Sequence, residues 1–212
     1  MKNTHMQHSL FLMRRVVLGM GLTLLATAAA SANGNIEAGK TASQTCAACH
    51  GMDGNSAMAM FPSIAGQPAS YLAEQLHAFR DGKRVNAIME PQAKNLTDQQ
   101  IEDVAAYFAA QTRTVKTAAT EDSIPGAHMW KFGGHGNSIA ACAACHGTHG
   151  QGNQPAGFPA LRGLTPQYII ESLMAFHDDK RKTAHADIMV RIASKLTNDD
   201  MKDIAQHIAT FH

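Results

Sequence analysis

Cys46-Ala47-Ala48-Cys49-His50 and Cys142-Ala143-Ala144-Cys145-His146 are the same five residues twice, each followed by a glycine, Gly51 and Gly147. Two cysteines three positions apart with a histidine directly behind them form the attachment signal of a c-type haem. The spacing has a chemical reason: each thiol can form a thioether to one vinyl group of the same porphyrin, and the adjacent histidine then lies under the iron, where it can ligate it. The two motifs take up all four cysteines of the 212-residue chain. The pattern therefore predicts two covalently bound haem c groups, attached at Cys46 and Cys49 and at Cys142 and Cys145, with His50 and His146 as iron ligands. Paired C-x-x-C also binds zinc, but zinc knuckles usually lie about 15–20 residues apart. Here nearly half the chain separates Cys49 from Cys142, and a histidine follows each pair. No βαβ pattern surrounds either motif, which argues against a thioredoxin-like role.

Outward from the motifs, the two halves align along nearly their whole length. The motifs are offset by 96 positions. Phe61-Pro62, Tyr71, Leu76, Phe79, Lys83 and Arg84 recur at 97 as Phe158-Pro159, Tyr168, Leu173, Phe176, Lys180 and Arg181. Met89, Leu96 and Thr97 recur at 100 as Met189, Leu196 and Thr197. The rising offset places short insertions in loops of the second half. A repeat of this extent predicts two like domains, 33–114 and 126–212. The polar, threonine-rich stretch from Thr112 to Pro125 lacks apolar period, and the linker is placed in it at 115–125.

Each half reads as helical, so the fold class is all-α. Ile36 to Ala48 predicts a helix running into the first motif. In the second half Gly126 to Phe132 begins one, Gly133-Gly134-His135-Gly136-Asn137 breaks it, and Ser138 to Cys145 resumes it. Glycine- and proline-rich loops follow each motif. The next helices start near Pro68 and Thr165-Pro166, since proline suits a first helical turn. Leu72, Leu76 and Phe79 form one apolar stripe, which Ile169, Leu173 and Phe176 repeat. Thr97 with Gln100 forms a capping box before the last helix, and Thr197 with Asp200 a looser one. The apolar faces behind them are Ile101, Val104, Ala105, Phe108 and Met201, Ile204, Ala205, Ile208.

A second axial donor must come from far along the chain. Met89 and Met189 stand at matched places, seven residues before the leucine that precedes the last cap. Thioether sulfur is a soft donor, and His/Met ligation raises the potential. A lone methionine more often fills core; a matched pair in a haem-bearing repeat predicts ligation. His185, close before Met189, is a rival for the second iron. Pro62 and Pro159 follow their histidines by 12 and 13 residues, and a carbonyl there can hold the other ring nitrogen. Met52, Met58 and Met60 read as pocket packing or exposed loop. His128, His135, His149, His177 and His207 read as surface or packing groups.

Arg14 and Arg15, the apolar run Val16 to Ala30 and Ala30-Ser31-Ala32 have the form of a secretory leader. The expectation is a signal peptide over 1–32, cleaved after Ala32, and export to the periplasm. Without those residues, 33–118 carries 7 basic and 8 acidic groups and 119–212 carries 8 and 9, so each half is at −1. No basic patch points to nucleic acid.

Together these residues resemble class I c-type cytochromes, and as a tandem pair they are similar to the cytochrome c4 family, over about 33–212. The resemblance implies two class I cytochrome c domains, each wrapping one covalent haem and packed about a pseudo-two-fold axis. It implies thioether links at Cys46, Cys49, Cys142 and Cys145, and axial pairs His50/Met89 and His146/Met189. It also implies a periplasmic electron carrier, soluble or loosely membrane-associated, with redox proteins as partners: a quinol-oxidising complex or dehydrogenase as donor and a terminal oxidase as acceptor. An iron with both axial positions filled leaves no place for substrate, so no enzymatic activity is expected. The alternative is a dihaem oxidoreductase or peroxidase, or the electron-transfer subunit of a larger enzyme. In the family a first-helix glycine meets a last-helix aromatic. Gly39 and Tyr107 satisfy this, whereas the second half is expected to put His128 against His207, a crossing that cannot pack in the usual way.

Overall fold

The computed structural model describes residues 34–115, 121–136, 138–183 and 185–212. The expected leader, its cleavage site and the middle of the linker lie outside the described residues. Two sets of five helices follow one another. The first is α1 (Ile36–Ala42), α2 (Ala47–His50), α3 (Ala69–Arg80), α4 (Met89–Ala93) and α5 (Asp98–Ala109). The second is α6 (Ile124–Phe132), α7 (Ala143–His146), α8 (Pro166–His177), α9 (Ala186–Ala193) and α10 (Asn198–Ala209). Among the described residues the only β pairings are isolated bridges, one of which, Arg84 with Arg181, joins the halves.

The terminal helices anchor each half. Thr97 and Thr197 both close full capping boxes, with Gln100 and Asp200 returning a bond to the cap backbone. α1 and α3 pack on α5, and α6 and α8 pack on α10. The buried faces are those of the sequence pattern: Ile101, Val104, Ala105 and Phe108 in one half, Met201, Ile204, Ala205 and Ile208 in the other. Ser123 caps α6, accepting from the Gly126 N–H and donating to Asp203 Oδ1 at 2.7 Å. That cap starts the helix at Ile124, before the expected Gly126, with Pro125 in its first turn.

Three expectations are corrected. Ile36 to Ala48 is not one helix: α1 stops at Ala42 and the chain turns before α2. Ser43 Oγ donates to the Lys40 carbonyl at 3.1 Å, a local bond that competes with the helical ladder. Ser138 to Cys145 does not resume a helix. Gly133 leaves α6 at φ +77°, and Gly134 and Ile139 exchange both backbone bonds, at 3.1 and 3.2 Å. This hairpin buries Ile139, and only Ala143–His146 is helical.

The third correction concerns the helix crossing. A Cβ on Gly39 would lie 1.9 Å from the Asp103 carbonyl oxygen and 2.9 Å from Tyr107 Cβ. A Cβ on Gly126 would lie 2.1 Å from the Asp203 oxygen and 3.1 Å from His207 Cβ. The second half thus keeps the glycine contact, at Gly126 and not at His128, whose ring packs on Phe132 instead. The hairpin adds residues between the crossing and the motif, so the motif offset of 96 does not carry over to the crossing: seven positions separate Gly39 from Cys46, sixteen separate Gly126 from Cys142.

Candidate functional site

Each cysteine motif and its matched methionine meet in one apolar cavity. Cys46, His50 and Met89 line the first, closed by Leu72, Phe79, Val104 and Phe108; Cys49 is not among its lining residues. Cys142, Cys145, His146 and Met189 line the second, closed by Trp130, Ile169, Leu173 and Ile208. Both methionines stand on short helices, Met89 opening α4 and Met189 inside α9. The cavities adjoin: Tyr71, Gln75 and Tyr168 line both.

The short helix of each motif places its histidine indoors, and a proline carbonyl takes one ring nitrogen. His50 Nδ1 is 2.9 Å from the Pro62 oxygen, and His146 Nδ1 is 2.9 Å from the Pro159 oxygen. A carbonyl only accepts, so Nδ1 carries the proton and the Nε2 lone pair is free to coordinate. Burial pushes both imidazoles below the ordinary histidine value, with the proline bond opposing it; both are held neutral, the form a metal needs. Phe61 and Phe158 pack edge-on against the two rings at 6.2 and 6.3 Å.

Two of the thiols, those of Cys46 and Cys142, are held protonated. Burial raises Cys46 and pushes Cys142 up to about 11, so neither is prepared as a thiolate ligand. No disulfide joins either pair.

The residues fit a haem. The walls are apolar, a neutral imidazole and a thioether share each cavity, and each lining includes one arginine, Arg84 or Arg181. Arg181 is buried, and its Nε has no hydrogen-bond partner. A buried guanidinium needs an anion, and haem c carries carboxylates. The tyrosine between the two arginines responds to them: burial raises the Tyr168 hydroxyl, but the charges of Arg84 and Arg181 bring it down to about 8. Both arginines stand at matched positions of the repeat, and their signal in the sequence is the Lys-Arg pair found in each half. Gln75 and Trp130 carried no signal of their own.

His185 rims the second cavity with Met189, but its Nδ1 lies 3.1 Å from Glu74 Oε2 and its backbone N–H donates to Glu74 Oε1 at 2.9 Å. Met52, Met58 and Met60 are exposed, and Met60 lies at the mouth of the first cavity. Of the remaining histidines, His207 is buried and bonded to Asp122.

The cytochrome c family model matches the chain twice, over residues 36–111 and 135–211. Cytochrome c4 of Pseudomonas aeruginosa is 37% identical over 201 residues, which covers 94% of this chain and 100% of that protein. The chain belongs to the dihaem cytochrome c4 family. The crystal structure of reduced recombinant cytochrome c4 from Pseudomonas stutzeri matches the fold with a TM-score of 0.78 at 35% identity, covering 84% of this chain and 100% of that one. A thiosulfate dehydrogenase electron acceptor from Stutzerimonas stutzeri is 36% identical over 172 residues, 79% of each chain. The protein is thus two tandem cytochrome c domains with two covalent haem c groups, and its work is electron transfer.

Proposed function

We propose that this cytochrome c4 relative is a periplasmic one-electron carrier of a respiratory chain, with thioether links at Cys46, Cys49, Cys142 and Cys145 and axial pairs His50/Met89 and His146/Met189. The observation that carries the reading is the meeting, in each cavity, of a motif histidine whose Nδ1 proton is tied to a proline with a methionine about forty residues further on. Bound haem iron supplies a reversible one-electron couple. The protein's part is to fill the axial positions, exclude water with apolar walls and raise the potential through soft thioether donors. Met189 is preferred over His185 because Glu74 already engages the His185 ring.

Electrons pass at the cavity mouths. Met60 and Ile88 line the first mouth and are exposed, and Ile188 does so at the second. With each half near neutral, transient apolar contact with modest steering is the docking mode. The donor is a quinol-oxidising complex or dehydrogenase and the acceptor a terminal oxidase. A second reading, acceptor of electrons directly from a dehydrogenase, is favoured by the relative named thiosulfate dehydrogenase electron acceptor. Among the described residues no helix is long and apolar enough to cross a membrane, and loose membrane association is part of the proposal.

A spectroelectrochemical titration tests the reading. Two haems per chain by pyridine haemochrome, and an Fe–Met near-infrared band in the oxidised protein that halves in Met89→His and again in Met189→His, are expected. A wild-type band already at half strength would give the second site to His185. Rapid peroxide turnover by the pure protein would overturn the carrier reading in favour of a peroxidase. A mature N-terminus at Asn33 tests export.

A further inference from the structure

We propose that Gln75 is a positioning residue that couples the two haem sites, so that one side chain of the first domain sets both potentials; this rests on the haem placement proposed above. Arg84 and Arg181 are repeat partners and face each other across an antiparallel bridge, with Lys182 N–H donating to the Lys83 carbonyl at 2.8 Å. Each guanidinium lies over an aromatic ring of its own domain, Arg84 over Phe79 at 4.5 Å and Arg181 over Phe176 at 4.1 Å. Each reaches the tyrosine of the other domain, Arg84 Nη2 donating to Tyr168 Oη at 3.2 Å and Arg181 Nη2 to Tyr71 Oη at 3.4 Å.

Up to this point the arrangement is two-fold. It stops being so at Gln75. Gln75 Oε1 accepts from Arg84 Nη1 and from Arg181 Nη2, both at 2.8 Å. The repeat partner of Gln75 is Ser172, whose short side chain offers no amide oxygen. One neutral oxygen therefore holds two like charges together, and among the described residues no carboxylate bonds to either guanidinium. Like charges at short range repel strongly away from water, so the shared acceptor and the tyrosines help fix where both stand beside the haem carboxylates they would meet. Gln75 is buried and lines both cavities. A positive charge beside an iron favours the state with the added electron, and a change at Gln75 therefore reaches both irons.

The test is a redox titration of the full-length holoprotein carrying Gln75→Glu, which keeps the length and puts a negative charge between the guanidiniums. Both potentials are expected to fall together, with the Fe–Met band retained. A shift confined to the first-domain haem, or no shift, overturns the proposal. If Gln75→Glu does not fold, Gln75→Leu decides: both potentials move if Gln75 couples the sites, and both stay at wild-type values if it does not. Haem content and the near-infrared band of the wild type report separately on the haem placement.

Discussion

The loop behind each motif histidine is pinned at its second residue, and the two halves do this from opposite ends of the fold. In the first, Tyr107 on the last helix donates its hydroxyl to the Met52 carbonyl at 2.8 Å. In the second, Trp130 on the first helix donates its indole N–H to the Thr148 carbonyl at 3.0 Å. Where Tyr107 stands in α5, α10 carries His207, which packs edge-on to Phe211 at 4.9 Å, lies tilted against Trp130 at 6.0 Å, and bonds Asp122 Oδ1 at 2.7 Å. A loop carbonyl drawn indoors needs a donor, and which helix supplies it is open. The crossing beneath is not open in this way. Both halves need a glycine, because the partner backbone leaves no room for a side chain.

That contrast orders the expected effects of substitution. The largest belong to the shared feature. Gly39→Ala or Gly126→Ala would set a Cβ 1.9 or 2.1 Å from a backbone oxygen, which forces the helices apart at a cost above about 4 kcal/mol. Each variant is expected to lose its own domain, seen as one haem per chain by haemochrome assay instead of two.

Next come the differing pins. Trp130→Ala removes a fully buried indole and should destabilise the second domain by about 3–5 kcal/mol, with the first-domain haem unchanged through a guanidinium titration followed at the Soret band. Tyr107→Phe keeps the ring and loses one hydrogen bond, worth about 1 kcal/mol in the first domain. Equal losses in both domains from either variant would show that the pins are not local.

The smallest effect is at the contact between the domains. Burial alone would raise the Glu74 carboxyl, but bonds from the His185 backbone and ring and from Thr183 hold it below the usual carboxylate value. A carboxylate with a depressed folded value stabilises above its unfolded value, and that contribution is lost as pH falls through the folded one. The difference in melting temperature between wild type and Glu74→Gln should therefore be present at neutral pH and close on acidification below about pH 4.

Much of this was legible residue by residue. The last helices appeared as capping boxes with an apolar face, and both boxes close. The proline carbonyls were readable from their spacing behind each histidine. The ends of the entry helices are not legible in the sequence, because serine back-bonding and a glycine hairpin interrupt patterns that are helical by composition. Trp130 and Gln75 were invisible because a buried indole or amide has no sequence signature until its partner is known.

The sequence by itself determined the chemistry that lies within a few covalent steps: thiols three apart beside a histidine, caps three residues from their partners, a repeat with matched methionines. Those depend on local geometry, which the backbone repeats wherever the residues recur. Only the tertiary structure decided which glycine lies in the second crossing, which helix pins each loop, and that one amide oxygen joins two arginines from different domains. Those are contacts between residues distant along the chain, and their distances are set by how whole helices pack.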